Sequence, residues 1–201
     1  MRRHCLSWLR ALTGLAAGLC ASLPGVCQPP PVTPATAGAP SAPATSDGTH
    51  DFDFDLGKWH THSSRLMHPL SGAHDWAELD GTTVVTPIWG GRANLAEFKA
   101  DGTAGHVELL SLRWYNPVAH QWYLDFATPG VGVLGIPNIG EFRNGRGDFY
   151  DQEPINGRSV LIRFSIWKLD RDSARSEQAF SVDGGKTWET NWINTYTRIS
   201  E

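Results

Sequence analysis

Cysteine is absent from most of this chain, because Cys5, Cys20 and Cys27 all lie within its first 27 residues. A domain formed by the rest has no thiol and no disulfide, so its stability must come from its core alone. The sequence also lacks a long hydrophobic run. An apolar stretch over residues 11–23 is too short to span a bilayer as a stable helix.

Clusters of basic residues are lacking too. The chain has 17 Lys and Arg against 21 Asp and Glu. Without the charged residues that precede His50, which are Arg2, Arg3, Arg10 and Asp47, 14 basic and 20 acidic residues remain, a net charge of about −6. Nucleic-acid binding needs clustered Lys and Arg to contact phosphates, so this composition argues against a nucleic-acid partner.

The first 27 residues have the organisation of an export signal. A basic start, residues 1–4, is followed by the apolar stretch 11–23 and by small residues before a cleavage site after Cys27. We therefore expect a signal peptide over 1–27 and a mature chain exported to the periplasm or the extracellular space. Cys27 offers an alternative as the lipid acceptor of a lipoprotein, although Val26 is a poor residue for the position before it.

A linker and one domain are expected to follow. Residues 28–49 are rich in Pro, Ala, Thr and Ser, which is typical of a flexible tether without a core. Residues 50–201 suffice for one domain, since a domain of about 150 residues buries most of its unfolded surface. Eight of the nine tryptophans lie there, which suits an aromatic core or pocket.

Short strand-like segments bounded by Gly, Pro, Asn or Asp recur through this domain, and no segment shows a helical period. The predicted strands are Lys58–Leu66, His74–Thr86, Ala93–Phe98, His106–Tyr115, Gln121–Thr128, Val131–Phe142, Gly147–Ile155, Ser159–Lys168, Ala174–Val182 and Trp188–Ile199. We expect an all-β fold, an antiparallel up-and-down β-barrel of about ten strands with no open edge.

The two ends of the domain support closure of the barrel. Trp59 lies on the first predicted strand and Arg198 on the last, and closure makes those strands neighbours. We expect the guanidinium of Arg198 to stack on the indole of Trp59, with residues 50–56 forming a short turn that plugs this end. The pairing resembles that of the calycins, the superfamily of lipocalins and fatty-acid-binding proteins, which implies a cupped barrel with a cavity.

Several motifs resemble those of a group of uncharacterised bacterial lipocalin-like secreted proteins. The motifs are Trp76-x-Glu78, Asp80-Gly81-Thr82, Gly90-Gly91-Arg92-Ala93-Asn94, Glu177-Gln178-Ala179-Phe180 and Thr187-Trp188-Glu189-Thr190-Asn191-Trp192. The resemblance covers nearly all of 50–201 and strengthens the barrel assignment, but it implies no catalytic set. Ser176 stands where the group is expected to have Trp, a difference that would open or reshape the cavity.

The last three predicted strands supply the candidate site. Hairpins centred on Gly184-Gly185 and near Asp170 would make Glu177 face both Trp192 and Arg163, inside the barrel. The candidate ligand-binding residues are Trp59, Arg163, Arg175, Glu177, Trp192, Asn194, Tyr196 and Arg198. Of these, Glu177 and Tyr196 are the candidate catalytic residues.

This register has an alternative. It turns the apolar residues Val160, Ile162, Phe164 and Ile166 outward, where they would need a cover. A register one residue off turns them inward and places the polar cluster outside. The sequence leaves both registers open.

Metal and cofactor motifs are incomplete. His60-x-His62 has a chelating spacing, but both side chains point outward if Trp59 points inward. Asp51-x-Asp53-x-Asp55 resembles the start of a calcium loop, but Leu56 stands where that loop needs glycine. No histidine follows His120 to act as the late haem ligand of calycin-like haem proteins. We predict no metal and no cofactor.

Residues Ser181–Trp188 match the Asp-box pattern S-x-D-x-G-x-T-W. Asp-boxes repeat several times in sialidase propellers, whereas this chain has one copy and is too short for a propeller. We interpret the motif as a structural turn in which Asp183 accepts hydrogen bonds from backbone N–H groups.

Three functions fit these patterns. We expect an exported barrel that binds a small apolar or aromatic ligand in its cavity. A lyase or isomerase that uses a buried Glu177–Arg163 pair is the first alternative. A packed barrel with an envelope-structural or interaction role is the second, with an outward Val160–Ile166 face as the seam of a homodimer.

Overall fold

The computed structural model describes residues 47–103 and 105–201. The signal peptide predicted over 1–27 and residues 28–46 of the predicted linker lie outside this part of the chain. The described residues form one closed barrel, in which each strand pairs with its neighbours in sequence and the first strand pairs with the last. The predicted all-β, up-and-down barrel is therefore confirmed.

The barrel has ten antiparallel strands within the described residues. They are β1 (Gly57–Leu66), β2 (Trp76–Ile88), β3 (Ala93–Gly102), β4 (Gly105–Asn116), β5 (Gln121–Ala127), β6 (Asn138–Arg143), β7 (Arg146–Ile155), β8 (Arg158–Lys168), β9 (Ser173–Ser181) and β10 (Glu189–Ser200). Two short 3-10 turns, Asp53–Asp55 and Trp89–Gly91, are the helical elements of this part of the chain. Neither is long or apolar enough to cross a membrane.

Two hairpins show how local sequence sets the connections. Asn144-Gly145 joins β6 to β7, and Asn156-Gly157 joins β7 to β8. The φ angles are 52° and 80° in the first pair and 50° and 76° in the second. Two-residue turns of this type need positive φ at both positions, which Asn and Gly adopt most readily.

Strand alternation separates the core from the surface. On β1 the side chains of Trp59, Thr61 and Ser63 are buried inside the barrel, while His60 and His62 between them are exposed. This two-residue period confirms that both histidines point outward.

The segment before β1 fills one end of the barrel, which we call the floor. Phe52 is buried and contacts the rings of Trp122 and Phe149, with centroid distances of 4.8 and 5.7 Å. The Trp122 Nε1 donates to the carbonyl of Gly48 at 2.9 Å, and the Tyr115 hydroxyl donates to the carbonyl of Asp47. The predicted plug is confirmed, and it extends back to residue 47.

The strand predicted over Val131–Phe142 is wrong in its first half. β6 begins at Asn138, and residues 128–137 form an irregular connection at the other end of the barrel, the mouth. Pro129 and Pro137 have no N–H to donate to a strand ladder, and Gly130, Gly132 and Gly135 weaken strand formation.

The register predicted for the last three strands is also wrong. It is off by one residue, as in the alternative, although Trp192, Asn194 and Tyr196 of the polar cluster stay inside the barrel. An irregularity between Thr190 and Trp192 shifts the pairing of β10, so that Trp192 faces Gln178 and Ile193 faces Glu177. One extra residue in a strand exchanges the inner and outer faces of everything paired beyond it. The four apolar residues of β8 accordingly face inward, so Val160, Ile162, Phe164 and Ile166 do not form the outward face that was predicted as a homodimer seam.

Candidate functional site

A cavity of about 290 Å³ lies inside the barrel, between the floor and the mouth. Its walls are mostly apolar and aromatic. They include Ala96, Phe98, Phe126, Ile162, Phe164 and Trp192. Ile136 of the 128–137 connection also reaches the cavity, so this irregular segment contributes to the mouth.

One polar group in the cavity is a hydrogen-bond network on β9, β10 and β1. The Tyr196 hydroxyl is 2.8 Å from the Ser176 Oγ, which also accepts from the Asn194 Nδ2 at 3.0 Å. The Trp192 Nε1 lies 3.0 Å from the Asn194 Oδ1 and 3.1 Å from the Ser63 Oγ. Burial raises the pKa of Tyr196 to about 12, so its hydroxyl stays protonated at neutral pH.

A buried ion pair lies where the cavity meets the floor. The Arg113 Nη1 donates to the Asp55 Oδ2, and both side chains are almost fully buried. Burial raises the pKa of Asp55, and the charge of Arg113 opposes that rise. The Arg113 guanidinium also lies over the ring of Phe52, 4.8 Å from its centroid. Because each ion would be very costly alone, this pair ties the plug to the cavity wall.

A second polar group in the cavity consists of the carboxyl groups of Asp151 and Glu153, which we call the acidic wall. Asp151 and Glu153 alternate with outward residues on β7 and line the cavity together with Asn138 of β6. Burial and the nearby Glu153 raise the pKa of Asp151 to about 7, against a smaller opposite effect of Asn138. The Asp151 Oδ1 is buried and has no hydrogen-bond partner among the described residues. This carboxyl is therefore close to half-ionised at neutral pH.

Only three of the eight predicted ligand-binding residues line the cavity. They are Trp192, Asn194 and Tyr196. Trp59 and Arg198 contact each other at the floor, below the cavity, where Trp59 is 1% exposed. The remaining three lie on the outer surface: Arg163, Arg175 and Glu177. The bulge in β10 shifts its pairing with β9 by one residue, so the residues of β8 and β9 that were predicted to face inward face outward.

On the outer surface these three residues make structural contacts. The Arg163 guanidinium lies over the ring of Trp188, 4.5 Å from its centroid. Arg175 donates to Glu177, with 2.8 Å between Nε and Oε1, and also contacts the ring of Trp167. The predicted internal Glu177–Arg163 pair does not form, so Glu177 and Tyr196 are not a catalytic pair inside the cavity.

Sequence reasoning missed the acidic wall and Arg113. The signal was present in β7, where Phe149, Asp151 and Glu153 occupy alternate positions and therefore share a face. Phe149 is fully buried, which identifies that face as the inner one. Arg113 follows in the same way from Tyr115, since both are buried on β4.

The histidines of β1 interact with carboxylates of β2 on the outer surface. The His62 Nε2 lies 3.1 Å from Glu78, and its Nδ1 lies 3.0 Å from Asp80. The hydrogen bond to Asp80 is the main reason that the pKa of His62 is raised. The carboxylates approach different ring nitrogens, and no group of three or more potential ligands in the described residues is arranged to hold a metal ion.

The Asp-box forms the turn predicted for it. The Asp183 Oδ1 accepts from the backbone N–H groups of Lys186 and Thr187 at 3.0 and 2.9 Å. The Thr187 hydroxyl donates to the other carboxylate oxygen at 2.7 Å. These bonds lower the pKa of Asp183 to about 2, with those from Thr187 contributing most. The motif orders the β9–β10 hairpin and contributes no residue to the cavity.

No protein-family model matches this sequence, and neither does any curated protein. Solved structures of low sequence identity are similar to it. The S-type phycobiliprotein lyase CPES from Guillardia theta is 12% identical with a TM-score of 0.49, over 75% of this chain and 91% of the lyase. EF1p2_mFAP2b bound to DFHBI is 9% identical with a TM-score of 0.42, over 75% of this chain and 98% of that chain.

A redesigned β-barrel, mFAP1, bound to DFHBI, is 9% identical with a TM-score of 0.40, over 74% of this chain and 99% of that chain. All three TM-scores are below 0.5. The fold therefore rests on the closed pairing of the ten strands, and these likenesses show nothing about function.

Proposed function

We propose that this chain is an exported bacterial lipocalin-like protein that binds a small, mostly apolar or aromatic molecule in its barrel. The observation that carries the proposal is the cavity of about 290 Å³ between the floor and the mouth. Small-molecule sites are typically concave and apolar, with a few polar groups that orient the ligand. The cavity has this composition, and a barrel filled by its own side chains would have no such space.

The aromatic walls favour a flat ligand. Phe126 and Phe164 meet edge to face with a centroid distance of 5.5 Å, and Trp192 and Phe98 do so at 6.4 Å. Rings in this arrangement offer both faces and edges to an inserted aromatic group. Their mutual packing also limits rotation, so little side-chain entropy remains to be lost on binding.

Titration calorimetry with 1-naphthol tests the binding function. Leu109 lines the cavity, and its neighbour Leu110 points to the other side of β4. We expect Leu109→Trp to fill the cavity and weaken binding by at least about tenfold, and Leu110→Trp to bind like the parent protein. Equal effects of the two substitutions, or no binding by the parent protein to a panel of naphthols, phenols and fatty acids, would contradict the proposal.

Export is proposed from the leader sequence and has its own test. When the full chain is expressed in a bacterial host, we expect the secreted or periplasmic protein to begin at Gln28. Mass spectrometry of the intact protein measures this. Incorporation of labelled palmitate that Cys27→Ser abolishes would favour the lipoprotein alternative. A full-length chain retained in the cytoplasm would contradict export.

The carboxyl of Asp151 favours a second candidate function, that of a lyase or isomerase. A group with a pKa of about 7 can act both as a general acid and as a general base. Asp151 then takes the role predicted from the sequence for Glu177. The test is turnover of compounds that bind in the cavity. Activity that Asp151→Asn abolishes without loss of binding would support this candidate, and unchanged activity in that variant would refute it.

A further inference from the structure

We infer that the cavity selects ligands with a basic nitrogen, whose positive charge is met by the carboxylates of Asp151 and Glu153. This inference rests on the proposed binding function and names the class of ligand. It is carried by the placement of two carboxylates on a wall of apolar side chains and one amide that offers them no cation.

The strand pairing shows what surrounds the first carboxylate. Asp151 is opposite Ile162 on β8, and Asn138 of β6 lies on its other side. Glu153 is two residues further toward the mouth, on the same inner face. The immediate surroundings of both carboxylates therefore contain an amide and apolar side chains, and no positive charge.

The cations near the cavity already have partners. Arg113 is the one basic side chain among the described residues that line the cavity, and it is paired with Asp55. Arg65 at the mouth lies over the ring of Trp192, 4.8 Å from its centroid, and does not line the cavity. Neither Asp151 nor Glu153 forms an ion pair with a described residue. The cavity consequently has excess negative charge once both carboxyls are ionised.

The Asp151 Oδ1 is the atom at which a positively charged donor would bind. It is a buried acceptor without a hydrogen-bond partner among the described residues. Buried polar groups in folded proteins are normally satisfied, so an acceptor that faces a cavity without a protein partner can accept a hydrogen bond from a ligand. An ammonium group supplies both the donor and the compensating charge.

The aromatic rings add a second contribution to cation binding. Phe126 and Phe164 line the same cavity as the two carboxylates. The face of an aromatic ring attracts a cation, most strongly where water is excluded. A flat ligand with an aminomethyl group would place its ring between these side chains and its nitrogen near the acidic wall. A ligand carboxylate would instead meet Asp151 and Glu153 as a like charge.

Three probes of nearly equal size test this inference by titration calorimetry at pH 8. They are 1-naphthylmethylamine, 1-naphthylmethanol and 1-naphthoate. We expect the amine to bind about tenfold or more tightly than the alcohol, since a hydrogen bond between charged groups is stronger than a neutral one. The carboxylate should bind more weakly than the alcohol.

Variants assign the preference to the acidic wall. In Asp151→Asn and in Glu153→Gln we expect the amine to lose most of its advantage while the affinity of the alcohol changes less than about threefold. Glu97→Gln, which removes an exposed carboxylate on the outer face of β3, should leave the amine preference unchanged. Thermal unfolding of each variant shows whether it is folded before it is titrated.

The pH dependence gives an independent readout. The ionised fraction of a carboxyl with a pKa of about 7 is roughly 0.9 at pH 8 and roughly 0.1 at pH 6, so the amine should bind up to about tenfold more weakly at pH 6. The charged or titratable groups that share the cavity with Asp151 are Glu153, Arg113 and Tyr196. Tyr196 stays neutral throughout this range, because its pKa is about 12.

The outcomes separate this inference from the binding function on which it rests. If the alcohol binds and the amine binds no better, the cavity is a binding site and the inference about charge is wrong. If the amine advantage survives both Asp151→Asn and Glu153→Gln, the inference is also wrong. If none of the three probes binds at either pH, the proposed function itself is contradicted for ligands of this size.

Discussion

The guanidinium of Arg198 lies over the indole of Trp59, with its central carbon 3.9 Å from the ring centroid. The same guanidinium donates from Nη1 to the carbonyl of Leu56 and from Nη2 to that of Phe54, each at 2.7 Å. One side chain of the last strand therefore holds both the first strand and the segment that plugs the floor. This arrangement depends on the planar, forked shape of arginine.

Arg198→Lys is expected to lower the free energy of unfolding by about 1–3 kcal/mol, because an ammonium cannot stack on the indole and donate to two carbonyls together. Chemical denaturation measures the change. Arg171→Lys is a suitable control, since the Arg171 side chain is 83% exposed and its nearest ionic partner is 3.9 Å away. A loss in Arg198→Lys no larger than in the control would show that the floor does not depend on this contact.

Tyr196→Phe tests the polar network in the cavity. The substitution removes a buried hydroxyl and leaves the Ser176 Oγ with its bond from the Asn194 Nδ2. We expect a loss of about 1 kcal/mol in the free energy of unfolding, the usual net value of one hydrogen bond. Tyr123→Phe, on the outer face against Trp114, should cost less. An equal or larger cost for Tyr123→Phe would contradict this ranking.

Asp183→Ala tests the Asp-box turn. The variant should expose the N–H groups of Lys186 and Thr187 to faster hydrogen exchange, because the acceptor of both is removed. Lys186→Ala keeps that acceptor and should leave the exchange unchanged. In the parent protein the pKa of Asp183 is lowered to about 2. Its stabilising effect is therefore complete above pH 3.8 and is lost as the pH falls through about 2.

The barrel could be predicted because its signals are local. Asn-Gly pairs set the hairpins at 144–145 and 156–157, and alternation of apolar and polar residues set the two faces of β1. Trp59 and Arg198 then needed only closure of the sheet to meet. The first half of the strand predicted from Val131 does not form, because the prolines and glycines of 129–137 oppose a strand ladder in spite of the apolar residues between them.

The prediction of the candidate site depended on the strand register, and one extra residue in β10 changed that register. The hairpin centred on Gly184-Gly185 was predicted correctly for its first pairs, such as Thr190 with Ala179. The irregularity at Asn191 then shifts every later pair by one and reverses the faces of β8 and β9. Nothing local in the sequence marks Asn191 as a bulge. The buried residues Val160 and Ile166 were the better guide, since an apolar stripe seldom faces water.

The ionisation of Asp151 makes the stability of the barrel depend on pH. The pKa of Asp151 is raised from 3.8 to about 7, mainly by burial, so the folded state binds this proton more tightly than the unfolded state does. The stabilisation from protonated Asp151 is complete below about pH 3.8 and is lost as the pH rises through about 7. In Asp151→Asn the side chain is neutral at every pH, and this loss cannot occur.

Between pH 5 and pH 8 we therefore expect the parent protein to lose about 1–3 kcal/mol of unfolding free energy relative to Asp151→Asn. This range allows for solvent screening of a partly exposed group. His62 and His106, whose pKa values are raised by Asp80 and Asp101, also lose stabilising charge over this interval. Their effect is common to both proteins and cancels in the difference. Chemical denaturation at several pH values measures it, with Glu97→Gln as the surface control. A difference that is constant from pH 5 to pH 8 would mean that Asp151 ionises as freely in the cavity as in water, and the acidic wall would then not be the buried feature that distinguishes this cavity.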